Sequence, residues 1–178
     1  MVIRKRLNLS QKAMVFVTTT VKNWEPIFSN KDCALLTLNQ LRETLSHYQV
    51  SLVAYVLMPS HIHLLLGFQE IENLSLVVQS FKRIAARKLK QTMPTNQLHK
   101  FMIDGKYNLW KPRFDDLIIF SEKQFKIKIE YIHNNPVKAG LVEKPTDYVY
   151  SSVNDWLLDR EGILPVDKNW EWLKEEVI

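Results

Sequence analysis

VSLVAYVLMPSHIHLLLGF, Val50 to Phe68, decides the fold. Two apolar runs, 50–57 and 61–68, are joined by Met58-Pro59-Ser60, whose proline marks a turn. Strands with so short a connection pair as an antiparallel hairpin, because a parallel pair needs a crossover of a dozen residues or more. The second run carries His61 and His63. On a strand, residues i and i+2 share a face, with Cα atoms roughly 6.5–7 Å apart. Two imidazoles so placed can converge on a divalent ion, but two rings do not complete a coordination shell. A packed, hydrogen-bonded pair in the core is the other reading. The hairpin alone leaves both open.

Outward from the hairpin, MVFVTTT (14–20) is β-branched and aromatic and reads as a strand. KDCALLTLNQLRETLSHY places Ala34, Leu35, Leu38, Leu41 and Leu45 at helical spacing. NLSLVVQSFKRIAARKLKQT (73–92) is an amphipathic helix with Leu74, Val77, Val78, Phe81, Ile84, Ala85 and Leu89 as its apolar stripe. RFDDLIIF (113–120) is a further strand. Residues 121–136 are ambiguous. FKIKIEY alternates with period 2, yet Ser121 and Gln124 form a capping box, and Phe125, Ile129 and Ile132 recur at i, i+4, i+7. The expectation is a helix that stops at Asn135-Pro136, where the residue before proline is pushed out of helical geometry. The order strand–helix–strand–strand–helix–strand–helix predicts an α+β fold, a ferredoxin-like or RRM-like antiparallel sheet with packed helices.

Composition bounds the function. The chain has 178 residues, 46% hydrophobic and 24% charged, enough for one core. Its 4 glycines supply no phosphate-binding GxGxxG or GxxxxGK[ST] loop. The lone cysteine, Cys33, permits no internal disulfide and fits a reducing cytoplasm. No signal peptide and no run of about 20 apolar residues is visible, so no membrane partner is expected. The net charge of +5 mildly favours a polyanionic partner. Basic residues gather as Arg4, Lys5 and Arg6, as a band of Lys82, Arg83, Arg87, Lys88 and Lys90, and as Lys111 with Arg113 beside Trp110. Such residues position a nucleic acid by its phosphates, and a tryptophan can stack on a base. A solvated helix face and a core tryptophan account for the same residues.

Tyr131 and Asn135 share a face whether 122–135 is helix or strand, since i and i+4 are neighbours in both. Tyr131 lies about 120° from the nearest edge of the apolar stripe on a helix of 100° per residue. The pair therefore looks away from that stripe, as a site or simply as a half-buried tyrosine and a helix-stopping asparagine.

AYVLMPSHIHLLL, then FKR, LWKPRFDDLII, YIHNNPVKAGLV and YVYSS, in this order, resemble the REP-associated tyrosine transposases, within the single-tyrosine HUH transposase family. The resemblance runs from about residue 12 to about residue 156. It implies a domain over 1–156; residues 157–178, with Trp170 and Trp172 near their end, lie outside the resemblance and are expected to be an extension packing on the body. It implies that His61 and His63 ligate a divalent ion, Mg²⁺ or Mn²⁺, with Ile62 as the bulky residue between them. It further implies Tyr131 as nucleophile and Asn135 as an amide ligand. The activity implied is cleavage and rejoining of single-stranded DNA at hairpins of the REP kind, through a covalent 5′-phosphotyrosine, by a monomer or homodimer. In that setting Arg4, Lys5, Arg6, Lys82, Arg83, Arg87, Lys88, Trp110 and Arg113 become expected DNA contacts. Asp116 matches a recurrent acidic residue. Asp115 stands where an aromatic residue is usual and Leu117 where a histidine often follows, departures expected to alter local DNA contacts without touching the metal site.

Rival readings fare less well. Histidine-triad nucleotide chemistry needs another histidine where Leu65 stands. A closed structural metal site needs a fourth strong ligand, and His47, His99 and His133 lie at no obvious ligand spacing. A catalytically silent nucleic-acid-binding module of the same fold is the alternative that sequence leaves standing, against the joint presence of His61, His63, Tyr131 and Asn135.

Overall fold

The hairpin forms as strand β2, Ser51–Met58, and strand β3, His61–Phe68, turning at Pro59-Ser60. The computed structural model describes residues 12–171 of the chain. Strand β1 (Ala13–Thr20) leads to helix α1 (Lys31–His47), whose first turn is capped by the Asn30 side chain accepting from Cys33 N at 3.0 Å. After the hairpin come α2 (Leu74–Thr92), the short α3 (Thr95–Leu98) and a small hairpin of β4 (Met102–Ile103) and β5 (Lys106–Tyr107). That hairpin turns at Asp104-Gly105, both with positive φ, the left-handed pair a tight two-residue turn demands. Strand β6 (Asp115–Ile119), helix α4 (Glu122–Lys138) and the short α5 (Val153–Leu157) complete the order.

The four-stranded sheet has the order β2-β3-β1-β6 with every pairing antiparallel, a ferredoxin-like arrangement. Its register fixes what faces what. Thr18 stands opposite His63 on one side and Asp115 on the other. Val56 stands opposite His63 from β2. One sheet face offers Val15, Val17, Ile62, Leu64 and Leu66 to α1 and α2. The other offers Met14, Phe16, Val56 and Leu65 to Phe125, Ile129 and Ile132 of α4. His61 and His63, by alternation with Ile62 and Leu64, belong to the α4 face. Ile132 is fully buried there, and truncating it to Ala costs about 2–5 kcal/mol.

Helix α4 resolves the ambiguous segment and corrects its end. Ser121 Oγ accepts from Gln124 N at 3.2 Å, and Gln124 Oε1 accepts from Phe120 N at 2.9 Å, so the capping residues act as read. The helix does not stop before Pro136; it runs through it to Lys138. Proline so near a C-terminus forfeits one backbone bond. Ala139 N to Asn135 O, Leu141 N to Pro136 O and left-handed Gly140 then close the end in the manner of a glycine cap.

The outer edge of β2 is covered by the segment at 150–152. Leu57 N donates to Tyr150 O, Ser152 N donates to Tyr55 O, and Val56 bridges Ser151. His133, buried in α4, meets Ser152 Oγ through Nε2 at 3.0 Å, which ties the helix to this edge. Further on, Asp167 N donates to Leu52 O and Trp170 is buried over Gly67. A Cβ on Gly67 would sit 2.3 Å from the indole nitrogen, so the indole's seat requires glycine. Trp172 lies outside the described residues, and among those described no helix is long and apolar enough to cross a membrane.

Candidate active site

Four rings are joined by successive contacts, from Trp24 through the two histidines to Tyr131 of α4. Trp24 lies 5.3 Å from His61, His61 4.8 Å from His63, and His63 5.1 Å from Tyr131, centroid to centroid. The strand alternation places the two histidines, and α4 brings Tyr131 over them. Tyr131 Oη lies 3.5 Å from His63 Nε2, a close approach longer than a strong hydrogen bond. The other ring nitrogen, Nδ1, is 2.7 Å from Thr18 Oγ1, and Phe16 stacks on the imidazole at 5.6 Å. His63 is buried and Tyr131 is 36% exposed, so the ring is held and the hydroxyl is reachable. Lys128 Nζ sits 4.4 Å from the Phe16 ring and 5.4 Å from that of Tyr131, with Lys138 Nζ 5.8 Å from the latter.

Burial and positive neighbours keep both histidines neutral. Burial, then His61 and Lys128, pull His63 down to about 3. Burial, then Lys111, pull His61 down to about 4. Neutral imidazoles keep a lone pair for a cation, as a metal ligand requires. With Nδ1 of His63 engaged by Thr18, Nε2 is the nitrogen turned toward Tyr131, the second-sphere pattern a ligating histidine shows. Among the described residues no three His, Cys, Asp or Glu side chains gather as ligands. Half-buried Asn135 lies one turn beyond Tyr131 on α4, so an amide oxygen on the same helix is the candidate to join the two imidazoles as a donor. That set fits an open site for a divalent ion whose remaining positions go to solvent or substrate.

Comparison with known proteins places the chain in a family. A family model described as "Transposase IS200 like" matches residues 10–135. The chain belongs to the IS200-like transposase family. Among curated relatives of this chain, one of Haemophilus influenzae, described as a REP-associated tyrosine transposase, is 31% identical over 116 residues, 62% of this chain and 63% of its own. A REP-associated tyrosine transposase of Escherichia coli K12 is 33% identical over 63 residues, 35% of this chain and 37% of its own. The matches thus span less than two thirds of either relative. A solved REP-associated tyrosine transposase bound to a REP hairpin shares the fold, with a TM-score of 0.71 at 20% identity over 100% of this chain and 99% of that one. A transposase structure from Deinococcus radiodurans gives 0.52 at 23% identity, covering 74% and 97%.

The residues expected to contact DNA divide. Arg83, Arg113 and Lys111 line an open groove between α2 and the 107–116 segment. Lys82 lines it too but is no surface cation. It is buried, its ammonium donates to Lys111 O at 2.7 Å and lies near Pro112 O and Arg113 O, and burial lowers it to about 8. Lys82 therefore holds the loop that carries Lys111 and Arg113. Trp110 is corrected likewise: it is buried against Phe28 and Phe81 and donates Nε1 to Lys82 O at 3.0 Å. It is core, not a stacking platform. Lys88 pairs with Glu43 of α1 at 2.8 Å, and Arg87 is exposed on α2 away from the groove lining. Arg4, Lys5 and Arg6 lie outside the described residues. Asp116, opposite Val17, faces the α2 side and lines the groove, whereas Asp115, opposite Thr18, lies on the face of the histidines. Sequence reasoning missed Trp24, 54% exposed beside His61 with Lys111 Nζ 4.2 Å from its ring centre. Its neighbours Lys22, Asn23, Glu25 and Pro26 carry the signal of an exposed loop.

Proposed function

We propose that this protein is a metal-dependent DNA strand transferase that cleaves and rejoins single-stranded DNA at REP-like hairpins, with Tyr131 as nucleophile. The observation that carries the reading is the approach of the Tyr131 hydroxyl to Nε2 of a buried, neutral histidine paired with a second on the same strand face. The hairpin bound by the solved relative supports the substrate class.

Tyr131 Oη attacks phosphorus. The Oη–P bond forms, the P–O3′ bond breaks and the phenolic proton leaves to solvent. The departing O3′ takes a proton from solvent, so the products are a 5′-phosphotyrosine and a free 3′-OH, and because the bond is exchanged rather than hydrolysed, a 3′-OH can reverse the step. His61, His63 and Asn135 would hold Mg²⁺ or Mn²⁺, which supplies Lewis-acid polarisation of the scissile phosphate. Lys128 and Lys138 put positive charge beside the phenol, where negative charge gathers at the reacting centre. Arg83, Lys111 and Arg113 line the path along which phosphates are held.

The test is incubation with a hairpin-bearing single-stranded oligonucleotide and Mg²⁺ or Mn²⁺, read on a denaturing gel. A covalent adduct is expected, lost in Tyr131→Phe. His61→Ala and His63→Ala should each reduce cleavage far more than hairpin binding. An adduct that survives Tyr131→Phe overturns the assignment, and hairpin binding with no adduct at all leaves a silent binding module.

A further inference from the structure

Trp24 is exposed at a cost to the backbone. It follows Asn23, and both have positive φ, 55° and 58°. Asparagine adopts that region readily, but a bulky residue there is an outlier whose strain persists only when its surroundings impose it. They do so here. Lys22 N donates to Leu109 O at 2.8 Å, Trp24 N to Val21 O at 3.1 Å, and Glu25 pairs with Lys100 at 2.7 Å. The other described tryptophans, Trp110, Trp156 and Trp170, are buried or half-buried. The loop is thus built to present one indole to solvent. Its ring stands nearly perpendicular to His61, at 78°, under the ammonium of Lys111.

We infer that Trp24 and Lys111 form the seat of the nucleotide on the 5′ side of the cleaved bond, the base stacking on the indole and the ammonium holding its phosphate. This rests on the strand-transfer reading above. The order of these ring contacts sets the polarity. Tyr131 stands at one end, the histidine pair in the middle and Trp24 at the other. In-line displacement puts attacking and leaving oxygens on opposite sides of phosphorus. With the phosphate over the histidines and Tyr131 attacking from its end, O3′ leaves toward Trp24. The nucleotide carrying that oxygen then lies on the indole, and the one joined to Tyr131 lies away from it. Stacking reads a π-face rather than base edges, so this seat fixes the position of the cut more than its sequence.

The experiment compares wild type, Trp24→Ala and Trp24→Phe on three oligonucleotides: intact, abasic immediately 5′ of the cleaved bond, and abasic immediately 3′ of it. Single-turnover adduct formation is measured, with anisotropy binding in a Tyr131→Phe background. Trp24→Ala should weaken binding and cleavage of the intact strand by about 5- to 100-fold, and Trp24→Phe should regain most of it. On the 5′-abasic strand Trp24→Ala should lose nothing further, while on the 3′-abasic strand its full effect should persist. Trp24→Gly, free of the left-handed penalty, should melt no lower than wild type and still lose the 5′ coupling, separating stacking from folding. Equal losses on intact and 5′-abasic strands, or coupling to the 3′ nucleotide, overturn the inference. Absence of any wild-type adduct instead overturns the strand-transfer reading on which it stands.

Discussion

Replacing Thr18 by valine removes one hydroxyl and little else. Valine is nearly isosteric and equally suited to a strand. What is lost is the 2.7 Å contact to His63 Nδ1. For Nε2 to ligate a cation, Nδ1 must carry the proton and donate it to Thr18 Oγ1. His63 is 4% exposed, so after the exchange this N–H has no water to turn to, and leaving it unpaired costs about 1–3 kcal/mol. The imidazole can recover part by tilting, at the expense of Nε2's aim. Removal of such outer partners lowers metal affinity about 10- to 100-fold, or about 1.4–2.7 kcal/mol. The assay is calorimetric titration of metal-free protein with Mn²⁺, run beside urea unfolding. Thr18→Val should bind Mn²⁺ at least 10-fold more weakly, and Thr18→Ser, which retains the hydroxyl, should bind within a fewfold of wild type. Valine and wild type with the same Mn²⁺ affinity would refute the reasoning, since His63 would then not be oriented through Nδ1.

Metal-free protein should lose stability as pH falls from about 6.5 toward 4. His61, His63 and His133 are held by burial at about 4, 3 and 4, below the ordinary 6.5. The unfolded chain therefore binds more protons throughout that window. His133→Gln should flatten the slope, by at most about 1.4 kcal/mol per pH unit, in urea midpoints measured with a chelator present; an unchanged slope would contradict the neutral burial of His133. Gly67→Ala drives a methyl into the Trp170 indole and should cost about 1–3 kcal/mol. In a Trp170→Ala background the same change should cost much less, and a double-mutant cycle of thermal melts decides it. Lys82→Met should cost about 1–3 kcal/mol by leaving the 111–113 carbonyls without their donor and should weaken hairpin binding by loosening the loop that carries Lys111 and Arg113; unchanged binding would show that the loop holds its own shape.

The sheet, the hairpin turn and the helix carrying Tyr131 were legible because each rests on local pattern: a two-residue period, a proline turn, a capping box. The histidine pair was legible as a pair, but its surroundings were not, since Thr18 and Phe16 reach it through a strand register joining residues 45 apart or more. The two tryptophans stand opposite to expectation in burial. Trp110 was expected at the DNA and is packed in the core, while Trp24 is exposed at the site. Side-chain chemistry does not separate two indoles; only the path of the loop does. Lys82 carried more warning. It lies four residues after Val78 and three before Ala85, within the buried stripe of α2, so its ammonium needed internal acceptors. Pro136 inside α4 misled because a proline rule written for helix interiors is weak in a last turn closed by Gly140.

The strip at 150–152 has a consequence for how copies of the chain behave at high concentration. Unpaired strand edges recruit one another, and β-proteins suppress this by covering or charging them. Here the long outer side of β2 already spends its amides and carbonyls on Tyr150, Ser151 and Ser152. The edge left to the main sheet among the described residues is the five-residue β6, which begins with Asp115 and Asp116. An approaching strand meets paired backbone on one flank and a short, acidic margin on the other. The fold that holds Tyr131 over two histidines is thereby a poor template for sheet growth between molecules.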